Sequence, residues 1–175
     1  FNYFRENELI NVKYRDGRKN FKMFKDAEKI PYNLDNIRTS KEVIIVEGEI
    51  DVLTCVECGK WNVISSPNGS TTKGVNLEWL DNSYDYFENK EKIILALDND
   101  EPGQNVQKEI IRRLGAERCY IVDLFGENDY NDLLQKQGKD KVIESIENAK
   151  QCPLENVNTL KDVRNILHDF YRNED

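Results

Sequence analysis

Lys41-Glu-Val-Ile-Ile-Val-Glu-Gly-Glu-Ile-Asp51 is the stretch on which the reading of the chain turns. Four consecutive apolar residues, Val43 to Val46, run into an acid and a glycine and then into a helical pattern. A short apolar run bounded in this way predicts a buried strand of a parallel sheet. Glu47 then stands at the C-terminal end of that strand, where open α/β sheets place their ligands. Gly48 removes a Cβ at the turn and permits close approach. The pattern recurs at Lys92-Ile-Ile-Leu-Ala-Leu97, which ends in Asp98-Asn-Asp-Glu-Pro-Gly103. Two buried strands therefore deliver a glutamate and two aspartates to one edge.

Outward from these strands the chain alternates. A helix is expected over 49–58, closed by Gly59, then a short strand over 62–65. A polar loop, Ser65-Ser-Pro-Asn-Gly-Ser-Thr-Thr-Lys-Gly74, follows, and after it a helix with Leu77, Leu80, Tyr84 and Phe87 on its apolar side. A helix over 104–114 precedes a strand over 118–123, and helical patterns follow at 130–137 and 139–149. This alternation predicts an α/β fold with a mainly parallel, four-stranded core sheet flanked by helices. A last amphipathic helix is expected over 159–172, with Thr159 as its cap. Upstream, residues 9–15 alternate with period two, Asp16-Gly17 signals a hairpin, and residues 19–24 supply the returning strand. The expected organisation is a basic β-hairpin subdomain over 1–40, the main domain over 41–150 and a C-terminal linker helix in 151–175.

Charge separates the front from the body. The 175 residues carry a net charge of −8, which argues against a general nucleic-acid coat. Residues 1–41 nevertheless hold 10 Lys and Arg against 6 Asp and Glu, and the remainder holds 15 against 27. The hairpin contributes Lys13, Arg15, Arg18, Lys19 and Lys22, with Tyr14, Phe21 and Phe24 interleaved. Such a surface suits phosphates of a nucleic-acid backbone or a nucleotide. Asn68, Gly69 and Lys73 of the polar loop are further phosphate candidates through backbone N–H groups and an ammonium. The loop lacks the spacing of a Walker motif.

Hard divalent cations take oxygen ligands, and Mg²⁺ retains several waters, so a few carboxylates suffice. Glu47, Asp98 and Asp100 are the candidate metal ligands and catalytic residues, with Asp129 of Asn128-Asp-Tyr-Asn-Asp132 as a fourth. Clustered carboxylates repel, and a metal offsets that repulsion. Cys55 and Cys58 have half the spacing of a zinc site, but they fall inside a helical pattern and His168 is the sole histidine, so buried thiols and no zinc are expected. No apolar run approaches membrane-spanning length.

Val46-Glu-Gly-Glu-Ile-Asp-Val52 and Asp98-Asn-Asp-Glu-Pro-Gly103 resemble the two signature motifs of the toprim domain, which is shared by bacterial-type primases, topoisomerases and OLD-type nucleases. Within that family the chain is most similar to the primase half of phage primase–helicases and Twinkle-like proteins. Lys19-Asn-Phe-Lys22 resembles part of the small subdomain that precedes toprim there, and Asn128-Asp-Tyr-Asn-Asp132 resembles a segment whose aspartate binds metal. The family's lysine before that aspartate is replaced here by Asn128.

The resemblance implies a polymerising core that joins ribonucleoside triphosphates into an RNA primer on single-stranded DNA. Mg²⁺ or Mn²⁺ would be held by Glu47, Asp98, Asp100 and Asp129, or Glu47 would assist proton transfer as a base. Asp51 and Asp132 are expected to orient the ligands rather than to bind metal. The zinc ribbon and ring helicase of such proteins are expected elsewhere in the same full-length protein, so this piece, beginning at Phe1, is expected to be a monomer from the cytoplasm of a bacterial or phage-infected cell. The alternatives are a toprim nuclease and a non-catalytic DNA-binding module.

Overall fold

The computed structural model describes residues 1–18, 20–68 and 75–153, together with Arg164. Lys19, Gly69, Lys73 and the helix expected over 159–172 lie outside the described residues, apart from Arg164.

Five strands form the central sheet: β4 (Glu42–Val46), β5 (Val63–Ser65), β6 (Lys92–Ala96), β7 (Cys119–Ile121) and β8 (Lys150–Gln151). Their order is β5-β4-β6-β7-β8, parallel throughout except for antiparallel β8 at the edge. The four expected parallel strands are all present. The fifth is two exposed polar residues and carries no hydrophobic signal; it pairs because the chain returns beside β7, where Cys152 N–H donates to the Cys119 carbonyl at 2.8 Å.

Alternation along the central strands builds a core on each face. Val43, Ile45, Ile93 and Leu95 face one layer, which also takes Ile110 and Leu114 of α3 (Glu101–Leu114). Ile44, Val46, Ile94 and Ala96 face the other, with Val52 of α1 (Glu49–Glu57), Leu133 of α4 (Tyr130–Gln137) and Val142 of α5 (Lys139–Glu147). Side chains of β4 and β6 are buried on both faces, which is why these segments read as unbroken apolar runs. Cys55 and Cys58 lie in the second layer and Cys119 and Cys152 in the first; all four thiols are buried.

The expected hairpin is part of a three-stranded antiparallel sheet, β1 (Asn2–Arg5), β2 (Glu8–Arg15) and β3 (Phe21–Met23). Strand β1 was not expected because its turn is made by Glu6 and Asn7, both at positive φ, without a glycine. The Asp35 carboxylate fixes that turn by accepting from both backbone N–H groups, at 2.7 and 3.0 Å. The turn after β2 behaves as Asp16 predicts: its side chain accepts from Arg18 N and Asn20 N. Residues 1–40 also share the body's core, for Tyr3, Ile30, Leu34 and Ile37 are buried in the same cluster as Val43 and Ile93.

One helix is corrected. The segment 77–87 forms a single helical turn, α2 (Glu78–Asp81), and a separate 3₁₀ turn at Tyr84–Tyr86. Leu77, Leu80 and Phe87 are buried as expected, but the break at Asn82 and Ser83 leaves Tyr84 exposed. No helix among the described residues is long and apolar enough to cross a membrane.

Candidate metal and nucleotide site

Three loops meet at the C-terminal edge of β4 and β6. The first is Glu47 to Asp51. Gly48 is the extended residue before α1, and a Cβ there would come to 3.2 Å from Asp51 Oδ2, so this glycine makes room for a carboxylate of its own chain. The second is Asp98 to Asp100. Asp100 caps α3 by accepting from Gly103 N at 2.8 Å, so the helix begins at Glu101, three residues earlier than expected. Gly103 is sterically required: a Cβ there would meet the Asp98 carbonyl oxygen at 2.3 Å. The third is Asn128 to Asp132. Asp129 caps α4 by accepting from Asp132 N at 2.7 Å.

Backbone bonds lace the loops together. Asn99 N–H donates to the Asn128 carbonyl at 3.1 Å, and Asn131 N–H donates to Asp51 Oδ1 at 3.2 Å. The electrostatic consequence falls on Asp98. Burial, then the charges of Glu47, Asp51, Asp129 and Asp100, push its carboxyl up to about 8. Asp51, buried at the start of α1, is pushed up to about 6 by burial and by Asp129, against the bonds it accepts from Asn131 and Gly48. Asp132 instead pairs with Lys136 at 2.9 Å.

Glu47, Asp51, Asp98, Asp100 and Asp129 thus form one mutually repelling cluster. Its donors are all hard oxygens, and its excess negative charge suits a divalent cation. Among the described residues no three Asp, Glu, His or Cys side chains form a ready-made metal cage. One oxygen each of Asp100, Asp129 and Asp51 is occupied by a helix-start N–H. The donor chemistry fits a hard cation that keeps part of its water shell.

Facing the acids across a cleft of about 1170 Å³ is the small sheet. Arg15, Phe21 and Lys22 line one wall, and Glu47, Asp51 and Asp129 line another. Asn68 lines the same cleft, whereas Arg18 lies at the exposed turn. Lys13 also lines the cleft, but its side chain is buried there. Its Nζ lies 2.8 Å from Glu49 Oε1 and 2.9 Å from the Pro67 carbonyl. Tyr3, fully buried, donates its hydroxyl to the same Glu49 oxygen. Burial and the Glu49 carboxylate both raise the Tyr3 phenol. Asn11 and Lys13 are buried on the polar face of β2, while Tyr14 on the opposite face is exposed. The polar side of this amphipathic strand is therefore the inner side.

Glu49 and Tyr3 were not among the sequence candidates. An acid in the first turn of a buried helix is a usable signal for Glu49; a single tyrosine in a four-residue strand offers none.

A toprim-like family model matches residues 44–134. The chain belongs to the toprim-like family. The toprim match contains all three acidic loops and leaves the small sheet outside it. The Primase homolog protein of Arabidopsis thaliana is 36% identical over 171 residues, covering 88% of this chain and 51% of the relative. The chloroplastic/mitochondrial Twinkle homolog protein of the same plant is 35% identical over 188 residues, covering 98% of this chain and 26% of the relative. The primase fragment of the bacteriophage T7 primase–helicase superposes with a TM-score of 0.69 at 27% identity, over 83% of this chain and 60% of that one. This toprim chain spans about half of one curated relative and about a quarter of the other.

Proposed function

We propose that this chain is the polymerising core of a primase from a primase–helicase, making short RNA on single-stranded DNA. The observation that carries the reading is that Glu47, Asp51 and Asp129 of the acidic cluster line one cleft with the cationic and aromatic residues Arg15, Phe21 and Lys22. The likeness to the primase homolog, the Twinkle homolog and the T7 primase fragment supports it.

Glu47, Asp98, Asp100 and Asp129 would hold Mg²⁺ or Mn²⁺, which when bound activates the attacking 3′-hydroxyl and neutralises the leaving pyrophosphate. Asp51 holds the α4 start through Asn131, and so sets where Asp129 sits. Asp132 is turned to Lys136 and supports the cap of α4. Arg15, Arg18 and Lys22 draw in the phosphates of template or triphosphate, and Asn68 lines the same cleft. Lys13 ties hairpin, α1 and that loop together. The zinc ribbon and helicase ring are partners to be supplied by the full-length protein.

A non-catalytic DNA-binding module is the second reading, favoured by the use of Asp100 and Asp129 as helix caps. The test is primer synthesis on single-stranded DNA with labelled ribonucleotides and Mg²⁺ or Mn²⁺, with a primase zinc ribbon added in trans. Short RNA that disappears in Asp98→Ala and Glu47→Gln supports the priming reading. Bound DNA with no product supports the module, and metal-dependent cutting of the DNA supports a toprim nuclease.

A further inference from the structure

Eight large hydrophobic side chains are exposed among the described residues, and Phe4, Leu9, Tyr14, Phe21 and Phe24, five of the eight, fall within the first 24. Phe21 has the most informative surroundings. Its cross-strand partner is Arg15, and that of Met23 is Lys13. Met23 packs against the core and Lys13 is buried on Glu49, so this face of the sheet looks into the cleft. Phe21 lies one pleat nearer the hairpin tip and remains 52% exposed there.

Two cations accompany the ring. Lys13 Nζ lies 4.7 Å from its centroid and the Arg15 guanidinium carbon 5.4 Å. The same Lys13 Nζ contacts Glu49, so the ring and the start of α1 share one ammonium. A half-exposed aromatic ring beside a guanidinium matches the two parts of a nucleotide, a flat base and the phosphate attached to it. We infer that Phe21 is a stacking platform for a nucleobase in the cleft, with Arg15 taking the neighbouring phosphate. This rests on the nucleotide-handling reading of the cleft but requires neither metal nor chemistry. The base belongs to the DNA strand or to a free nucleotide, and the two are separable by experiment.

The test is equilibrium binding in EDTA, with the wild-type chain, Phe21→Leu and Phe21→Trp checked for equal far-ultraviolet circular dichroism. The probes are a labelled oligothymidine, an abasic oligomer with the same number of phosphates, and ATP. Phe21→Leu should bind oligothymidine or ATP about tenfold more weakly, the usual scale of one lost stack, with the abasic oligomer unchanged. Phe21→Trp should retain affinity, and its added indole should be quenched on binding. Loss confined to oligothymidine assigns the base to the strand, and loss confined to ATP assigns it to the nucleotide; both support stacking. Equal weakening toward the abasic oligomer, or full affinity in Phe21→Leu, overturns it. Base-dependent binding that survives when no primer is ever made would separate this inference from the priming reading.

Discussion

At the scale of single residues, Lys13 and Asp98 lead to opposite predictions. Lys13 and Glu49 form a buried ion pair in which each charge needs the other. Lys13→Met should cost about 3–5 kcal/mol, because it leaves Glu49 buried with its countercharge removed. The double variant Lys13→Met/Glu49→Gln should recover part of that loss; urea denaturation of the four species measures it. Asp98 is the reverse case, a carboxyl destabilised by its neighbours. Its folded value of about 8 lies above the ordinary carboxylate value, so the folded state binds more protons in between. Its contribution to stability is present at low pH and is lost as pH rises toward 8. Without divalent cations, Asp98→Asn should therefore stabilise little at about pH 5 and more at about pH 9. Thermal melts in EDTA check this, and an increment independent of pH would contradict it.

At the scale of elements, two of the three helices that begin at the site, α3 and α4, are capped by candidate ligands. Asn caps a helix about as well as Asp, so Asp100→Asn and Asp129→Asn should change stability by less than about 1 kcal/mol. Each removes a charge from the cluster, so divalent binding should weaken clearly in both. Gly103→Ala tests the opposite limit. The added Cβ would force the Asp98 backbone away from α3, and the variant should lose both stability and divalent affinity while Asp98 and Asp100 stay in the sequence. Parallel calorimetric titrations and melts distinguish the two behaviours. Strands β4 and β6 and the acids that end them were legible because both faces are buried and the apolar runs stop at a charge. The helix start at Glu101 was not, because an acid at a strand end reads as a candidate ligand, and nothing in that pattern shows that Asp100 caps a helix. Strand β1 was hidden because its turn depends on Asp35, nearly thirty residues away. The single helix expected over 77–87 failed because four apolar residues at helical spacing did not reveal the break between them.

At the scale of the whole molecule, the charge division read from composition corresponds to two walls of one cleft. The boundary expected at residue 40 is not a break in packing, since Tyr3, Ile30, Leu34 and Ile37 share the body's core. Composition could place the basic residues near one another; it could not show that Lys13 turns inward, because a pattern of alternation does not say which face is buried. DNA binding by this acidic chain should be salt-dependent through the small sheet. Arg15→Ala or Lys22→Ala should each reduce the slope of log K against log salt by about 1, with the abolished contact being a phosphate contact. Anisotropy titrations across a salt series read that slope.

The most direct test of the central claim is titration of Mn²⁺ into the wild-type chain, Glu47→Gln and Asp98→Asn, followed by the loss of free-ion paramagnetic signal. The acidic cluster predicts saturable binding by the wild-type chain, weakened by at least about tenfold in each variant, as loss of a charged ligand implies. Equal binding by all three, or none by the wild-type chain with template and nucleotide present, would contradict a metal site at the ends of β4 and β6.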